Sequence, residues 1–361
     1  MNEEDGRERG AKAQAGHRPR LKTERLRTAG AAGAAGMTRA VELLRAGGTV
    51  AFPTETVYGL GANALDRAAV EKIFMAKDRP GWDPLIVHVE GEETLERVVA
   101  LSAELREPAK ALMEAFWPGP LTLLLPRTAE VPDAVTAGRT LVGVRMPAHP
   151  VARELIRLAG VPIAAPSANL FGRPSPTTAA HVLTDLDGRI DAVLDGGPTS
   201  VGVESTVLDL GARAIYRPGA VTAAMISRVV GNEVRVVSAV DVSSGSAAPE
   251  SLPSPGMGMR HYAPRARLVL VEGPQEMLEE IGKHGGAEVG VMLPDEWDRG
   301  GAEVAFRWGP WGNAEILARL MYFGLRLLDE RGVKVIVCPV PAMDGLGEAL
   351  RDRLEKAARA K

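Results

Sequence analysis

The chain has 361 residues, enough for two domains, and its 45% hydrophobic and 25% charged residues are an ordinary balance for a soluble globular protein. A formal charge of −3 argues against a protein that works by coating nucleic acid, and no apolar run reaches the ~20 residues of a membrane helix. One cysteine, Cys338 in the apolar run Val335-Ile336-Val337-Cys338, excludes an internal disulfide and reads as a buried small hydrophobe in a reducing compartment. The N-terminus is charged and lacks an apolar signal core, so a cytoplasmic protein is expected.

Residues 1–20 are polar, rich in Gly, Ala and Arg, and carry no hydrophobic period; a disordered tail is expected there. Residues 23–28 read as a first short strand. The 29–36 stretch is low-complexity Ala/Gly, and Met37 opens a helical pattern through Ala40, Val41, Leu43 and Leu44 that Gly47-Gly48 stops. A translation start misassigned upstream is one expectation from this pattern, which sequencing the N-terminus of the native protein tests. From 49 to about 217 strands alternate with helices. Strand-like runs fall at 50–52, 85–89, 121–125, 141–145, 163–165, 192–194, 205–210 and 214–217, and helical patterns at 67–76, 103–116, 151–158 and 178–183. This predicts one α/β domain with a large sheet over residues 21–235. Residues 236–264 read as a linker, dominated by Ser, Pro, Gly and Ala from Val240 to Met259. Beyond it, strands at 268–271, 288–293, 304–307 and 334–338 alternate with helices at 276–283, 314–328 and 347–358. That pattern predicts a smaller, Rossmann-like parallel α/β domain over 265–361. Glu272-Gly273-Pro274 stands where a dinucleotide-binding glycine motif would be, so nucleotide binding by that domain has no support.

Five clusters carry candidate chemistry. In Gly47–Gly61 a short apolar strand runs into Pro53-Thr54-Glu55-Thr56-Val57-Tyr58-Gly59-Leu60-Gly61, where glycines admit a ligand to the backbone and the Thr54 and Thr56 hydroxyls suit a polar substrate. On local grounds a turn followed by a Thr-capped helix fits this stretch at least as well. Lys77-Asp78-Arg79-Pro80 places two cations at a helix end, suited to a polyphosphate, or equally to complementing the helix dipole. Pro84–His88 puts a histidine at a strand end, more often structural than a ligand. Strand alternation sets Gly143 and Arg145 on one face, suited to a carboxylate pocket or to a salt-bridged surface arginine. Pro166-Ser167-Ala168-Asn169 and Gly172–Thr177 offer hydroxyl and amide donors after a strand, with Ser175 just before a helix, where free N–H groups favour an anion; ordinary turn and cap chemistry is the alternative. In Gly202–Val207, Ser205 opens a strand, and Arg217 closes the one before Pro218-Gly219.

Singly weak, these motifs together resemble the YrdC/Sua5 family in order and content, helped by Trp117-Pro118-Gly119-Pro120-Leu121-Thr122. The resemblance extends through Pro255-Gly256-Met257, His261-Tyr262-Ala263-Pro264, Gly345–Ala349 and Arg353-Leu354, so it covers almost the whole chain. It implies a YrdC-like twisted, mixed, open sheet with flanking helices. It also implies an L-threonylcarbamoyladenylate synthase activity, a nucleotidyltransfer that makes threonylcarbamoyl-AMP and pyrophosphate from L-threonine, bicarbonate and ATP. A partner transferase then modifies the adenosine beside the anticodon of certain tRNAs. By the same resemblance Lys77 and Arg79 face the ATP phosphates, joined by Thr136, Ser167, Asn169, Ser175 and Arg217, while Tyr262 reaches back over the nucleotide. Thr54, His88, Arg145, Ser205 and the backbone at Ala165 hold threonine. Mg2+ arrives with ATP, because no carboxylate cluster is built to hold it alone. Glu55 and Glu204 are candidates for orienting hydrogen-bond donors. Asp83 departs from the family pattern, which has Asn or His more often before Pro84, and is expected to weaken phosphate binding slightly. Two rivals share the fold: an RNA-binding module, disfavoured by 4% aromatics, and a carbamoyl-transfer domain, disfavoured by the Sua5-like C-terminal half.

Overall fold

The computed structural model describes residues 22–30, 32–237, 252, 254, 255 and 262–359. The expected tail at 1–20, most of the 240–259 linker centre, Gly256-Met257 and His261 lie outside the described residues.

In chain order the first domain comprises β1 (Glu24–Arg27), α1 (Gly33–Arg45), β2 (Val50–Phe52), β3 (Gly59–Asn63), α2 (Arg67–Lys77), β4 (Ile86–His88), α3 (Glu92–Glu96), α4 (Ala103–Phe116), β5 (Leu121–Pro126), α5 (Asp133–Thr136), β6 (Leu141–Arg145), α6 (Pro150–Ala159), β7 (Ile163–Ala164), α7 (Ala179–Leu186), β8 (Ala192–Asp195), β9 (Thr206–Asp209), β10 (Ala214–Arg217), α8 (Ala223–Val230) and β11 (Arg235–Val236). The second comprises β12 (Arg267–Val271), α9 (Pro274–His284), β13 (Val289–Pro294), β14 (Val304–Gly309), α10 (Ala314–Glu330), β15 (Val335–Pro339) and α11 (Leu346–Ala358). No helix among the described residues is long and apolar enough to cross a membrane.

Eleven strands form one mixed sheet in the order β1-β8-β2-β3-β7-β4-β6-β5-β9-β10-β11. Its two faces are read from alternation along the strands. Ala51, Ala164 and Val193 join the core that holds Val70 and Ile73 of α2 and Leu112 of α4. Their neighbours Val50, Phe52, Ile163, Ala192 and Leu194 pack instead with Val41 and Leu44 of α1 and Leu155 and Ile156 of α6. Successive side chains point to opposite faces, so the sheet is covered on both sides. The helix ends follow local chemistry. Asp66 caps α2 by accepting from the Ala68 and Ala69 amides, and α6 begins at Pro150 and stops at the left-handed Gly160.

The second domain is a four-stranded parallel sheet, β12-β15-β13-β14. Along β15, Val335 and Val337 face α9, while Ile336 and Cys338 face α10 and α11. The α10–α11 core continues through Val57, Val203 and Tyr262 of the first domain and the linker, so the two domains share buried apolar surface.

One expectation is corrected. The Pro53–Gly61 loop leads into strand β3, not into a Thr-capped helix. Thr54 Oγ1 accepts from the Thr56 and Val57 amides in a side-chain-closed turn. Gly59–Asn63 has weak strand propensity but is held between β2 and β7. A Cβ on Gly61 would sit 2.7 Å from the Phe52 ring and 2.8 Å from Ile163 Cγ2, so only glycine allows this close packing.

Candidate functional site

The central strands end in a shared cavity, open at its mouth. Registers bring its parts together. His88 pairs directly with Arg145 in parallel β4 and β6, and Ile163 of β7 lies opposite His88. The Pro53–Gly61 stretch meets the segment after β7 where the Leu60 amide donates to the Pro166 carbonyl and the Ala168 amide to the Tyr58 carbonyl. Sequence-distant motifs therefore become one wall: Thr54, His88, Arg145, Ala165, Ser167, Ser205, Arg79, Arg217 and Tyr262 all line the cavity, with Thr56, Gly59, Ile86, Glu204 and Pro255.

Three guanidiniums converge here, and each is fixed differently. Arg79 donates through Nε to the Asp83 carbonyl at 3.1 Å and through Nη2 to the Pro84 carbonyl at 2.7 Å, and its Nη2 lies 3.0 Å from the buried Asp83 carboxylate. Asp83 is thus the counter-ion of Arg79. Its charge neutralises a buried cation before any ligand arrives, a structural role that the sequence did not reveal. Arg145 donates to the Gly119 carbonyl at 3.1 Å and to Thr56 Oγ1 at 3.0 Å, with Nη2 2.6 Å from Glu55 Oε1. It is a buried ion pair, not a surface one. Arg217 donates from Nε to the Ser205 carbonyl at 3.0 Å, from Nη2 to Ser205 Oγ at 3.1 Å, and from Nη1 to the linker's Pro255 carbonyl at 3.4 Å. Among the described residues it has no carboxylate within ion-pair distance. Burial presses both Arg79 and Arg217 below the ordinary guanidinium range.

The remaining groups are neutral or held. His88 sits edge-on to Phe52 with ring centroids 6.0 Å apart, and burial beside Arg145 pushes its imidazole down to about 3. It is therefore a neutral hydrogen-bonding group at physiological pH. Ser205 Oγ shares a 2.8 Å hydrogen bond with Thr122 Oγ1. Burial alone would raise the Glu204 carboxyl; Arg353 and Arg217, with hydrogen bonds from Ser175 and Arg353, hold it low instead.

Four expected phosphate groups stand off the cavity wall. Lys77, 1% exposed, lies behind it, and its Nζ donates to the Ser167 and Asn169 carbonyls, both at 2.5 Å. It pins the Ser167 loop from the rear, and burial beside Arg79 presses its ammonium well below the usual lysine range. Asn169 donates its amide to the Leu170 and Arg173 carbonyls. Thr136 is buried at the end of α5, whose Val135 carbonyl accepts from the Leu85 amide at the entry to β4. Ser175 precedes α7 by four residues, too far for that helix's N-terminal amides, and donates to Glu204 Oε1 at 2.5 Å. The linker is stitched over this region. The Leu252 amide donates to the Trp82 carbonyl and the Ala263 amide to the Gly172 carbonyl, while Tyr262 turns into the cavity at φ 67°. Among the described residues no three His, Cys, Asp or Glu side chains converge as metal ligands. Glu204 on the wall is engaged by Arg353, and Glu55 and Asp83 behind it are engaged by Arg145 and Arg79, so the wall itself does not fit a resident cation.

Sequence reasoning missed the contribution of the second domain. Tyr322 of α10 and Arg353 of α11 both reach Glu204. A signal existed: each polar side chain falls within the apolar stripe of its helix, Tyr322 beside Met321 and Leu325, and Arg353 between Leu350 and Leu354.

Comparison with known proteins agrees with this architecture. A Sua5/YciO/YrdC family model, described as telomere recombination, matches residues 42–219, and one for the threonylcarbamoyl-AMP synthase C-terminal domain matches 221–359. The threonylcarbamoyl-AMP synthase of Pyrococcus abyssi is 46% identical over 328 residues, covering 88% of this chain and 93% of that protein; the Bacillus subtilis enzyme is 45% identical over 335 residues, covering 89% and 92%. The crystal structure of P. abyssi Sua5 complexed with L-threonine superposes with a TM-score of 0.84 at 42% identity, covering 94% of this chain and 98% of that one. The chain belongs to the Sua5/YrdC family, in its two-domain form with a Sua5 C-terminal domain.

Proposed function

We propose that this chain is an L-threonylcarbamoyladenylate synthase, a nucleotidyltransferase that converts L-threonine, bicarbonate and ATP into threonylcarbamoyl-AMP, pyrophosphate and water. The observation that carries the reading is the convergence of Arg79 and Arg217 with Thr54, His88 and Arg145 on one cavity, in a chain similar to threonylcarbamoyl-AMP synthases across both domains.

The threonine amine condenses with bicarbonate to a carbamate, whose oxygen attacks the α-phosphorus while pyrophosphate leaves. Such transfer needs positioning and charge neutralisation more than a covalent nucleophile. Arg217 and Arg79 face the triphosphate, and Lys77 keeps the Ser167 loop in place behind it. Neutral His88, Thr54 and the Arg145–Glu55 pair orient threonine by hydrogen bonds. No described residue of the wall would hold Mg2+ itself; brought in by the nucleotide, the ion would supply further charge neutralisation at the phosphates. A separate transferase consumes the product to modify tRNA, so no stable nucleic-acid complex is required of this chain, and a cytoplasmic location goes with that role.

The test is pyrophosphate release from ATP and bicarbonate, with and without threonine. Threonine-dependent release is expected; release that ignores threonine overturns the reading.

A further inference from the structure

The second domain contributes more than support to the cavity. Glu204 stands on the cavity wall just before Ser205, and both of its oxygens are held by residues from other segments of the chain. Oε1 accepts from Ser175 Oγ at 2.5 Å and from the Tyr322 hydroxyl at 3.0 Å; Oε2 accepts from the same hydroxyl at 3.0 Å and from Arg353 Nε at 2.9 Å. Arg353 is 0% exposed and has further grips on the site. Its Nη2 donates to the Pro218 carbonyl, directly after Arg217, at 2.9 Å, and its guanidinium lies 5.5 Å from the Tyr262 ring centroid. The Tyr262 and Tyr322 rings are 5.8 Å apart. Two helices of the second domain thus touch Glu204, Tyr262 and the backbone behind Arg217.

The chemical consequence follows from where the charges sit. Arg217 is the wall guanidinium without a carboxylate partner among the described residues, and it is held on the carbonyl and hydroxyl of Ser205, the residue next to Glu204, with both Arg217 and Glu204 lining the same cavity. In a buried site a carboxylate freed from one cation turns to the next, because an unpaired buried charge is costly. We propose that Tyr322 and Arg353 are positioning residues that hold the Glu204 carboxylate away from Arg217, so that the second domain keeps the Arg217 guanidinium open toward an anionic ligand. With Arg353 gone, Glu204 swings to Arg217 and cancels the charge that would meet a phosphate.

The proposal rests on the synthase reading, and its test separates the two. Wild-type protein without threonine-dependent turnover refutes that reading alone. With active wild type, Arg353→Met is expected to raise KM for ATP ten- to a hundredfold with a smaller change in kcat, and Tyr322→Phe to raise it several-fold. The deciding variant adds Glu204→Gln to Arg353→Met. A neutral amide cannot quench Arg217, so KM for ATP is expected to fall back at least severalfold from that of Arg353→Met alone. A purely structural role predicts that the two losses multiply, and that result, or wild-type KM in Arg353→Met, overturns the proposal. Should Arg353→Met fail to fold, the isosteric Tyr322→Phe combined with Glu204→Gln carries the same comparison.

Discussion

Replacing Arg217 with methionine removes the wall cation that has no carboxylate partner among the described residues. Two costs can be separated from the structure. The first is structural: the Ser205 carbonyl loses its 3.0 Å donor and the Pro255 carbonyl its 3.4 Å donor, whereas Ser205 Oγ keeps Thr122. Losing hydrogen bonds from a charged donor and leaving a buried acceptor costs about 2–4 kcal/mol of stability. The second is functional. A unit charge 4–5 Å from a phosphate oxygen, at an effective dielectric near 20, is worth about 4 kcal/mol. Glu204 takes part of that field, so the expected loss in kcat/KM for ATP is roughly 10²–10³-fold. The loss should fall mainly on KM if the contact forms equally in the ground and transition states. Arg217→Lys restores the charge but not the fork that grips Ser205 and Pro255, and should recover part of the affinity. The assay is threonine-dependent pyrophosphate release over a range of ATP concentrations, with circular dichroism melts to establish folding. A folded Arg217→Met variant with kcat/KM for ATP within threefold of wild type would refute the assignment of this cation to phosphate.

Gly202→Ala should uncouple the domains. Gly202 has φ +85°, and a Cβ there would lie 2.4 Å from both the Ala318 carbonyl oxygen and Arg319 Cα, backbone of α10 that cannot yield. Left-handed strain and overpacking together cost about 2–5 kcal/mol, so melting temperature and activity should both fall. Gly197→Ala is the control, with φ +86° and open space around it, and should cost only about 1 kcal/mol; equal effects of the two substitutions would contradict the packing argument. Acid should destabilise the fold before the carboxylates titrate. Burial pushes His88 down to about 3 and His181 to about 4, and half-buried His149 moves the same way. The unfolded chain therefore takes up protons first. Their contribution is complete above pH ~6.5 and is lost as the pH falls toward 4 and 3, amounting to about 2 kcal/mol for each of His88 and His181 by pH 5. Urea unfolding at pH 7 and pH 5 measures it, and equal stabilities at the two values would rule it out.

Much of the fold was legible because its strands are apolar runs cut by glycine and proline. β6 and β10 sit where the sequence puts them, and α4 matches its predicted bounds. β3 was not legible, since Gly59-Leu60-Gly61-Ala62-Asn63 becomes a strand only through β2 and β7 on either side. The helix α1 begins at Gly33, inside the Ala/Gly stretch set aside as low-complexity, and α8 was not among the predicted helices. At the site, the residue types were legible and their partners were not. The spacing of Lys77 and Arg79 suited a polyphosphate or a helix dipole equally, and nothing local says that Asp83 answers Arg79 or that Lys77 points backward at two carbonyls. Such pairings depend on burial and on long-range register, which a linear pattern does not encode.

Those pairings also explain how a chain with a net charge of −3 sustains a cavity wall with three buried arginines. Three arginines in a low-dielectric wall cannot all stay bare, because each would lose its hydration with nothing in exchange. Arg79 and Arg145 are therefore answered within the wall by Asp83 and Glu55, which fix their geometry and remove most of their long-range field. Among the described residues Arg217 is satisfied by neutral oxygens, which orient the guanidinium without cancelling it. The wall then presents one directed positive centre, flanked by two neutralised forks that still have geometry to offer an incoming carboxylate or phosphate. The carboxylate best placed to spoil this arrangement, Glu204, is the one held by a different domain. On the proposal above, such a site stays folded without ligand, while the charge offered to a ligand depends on the two domains remaining docked.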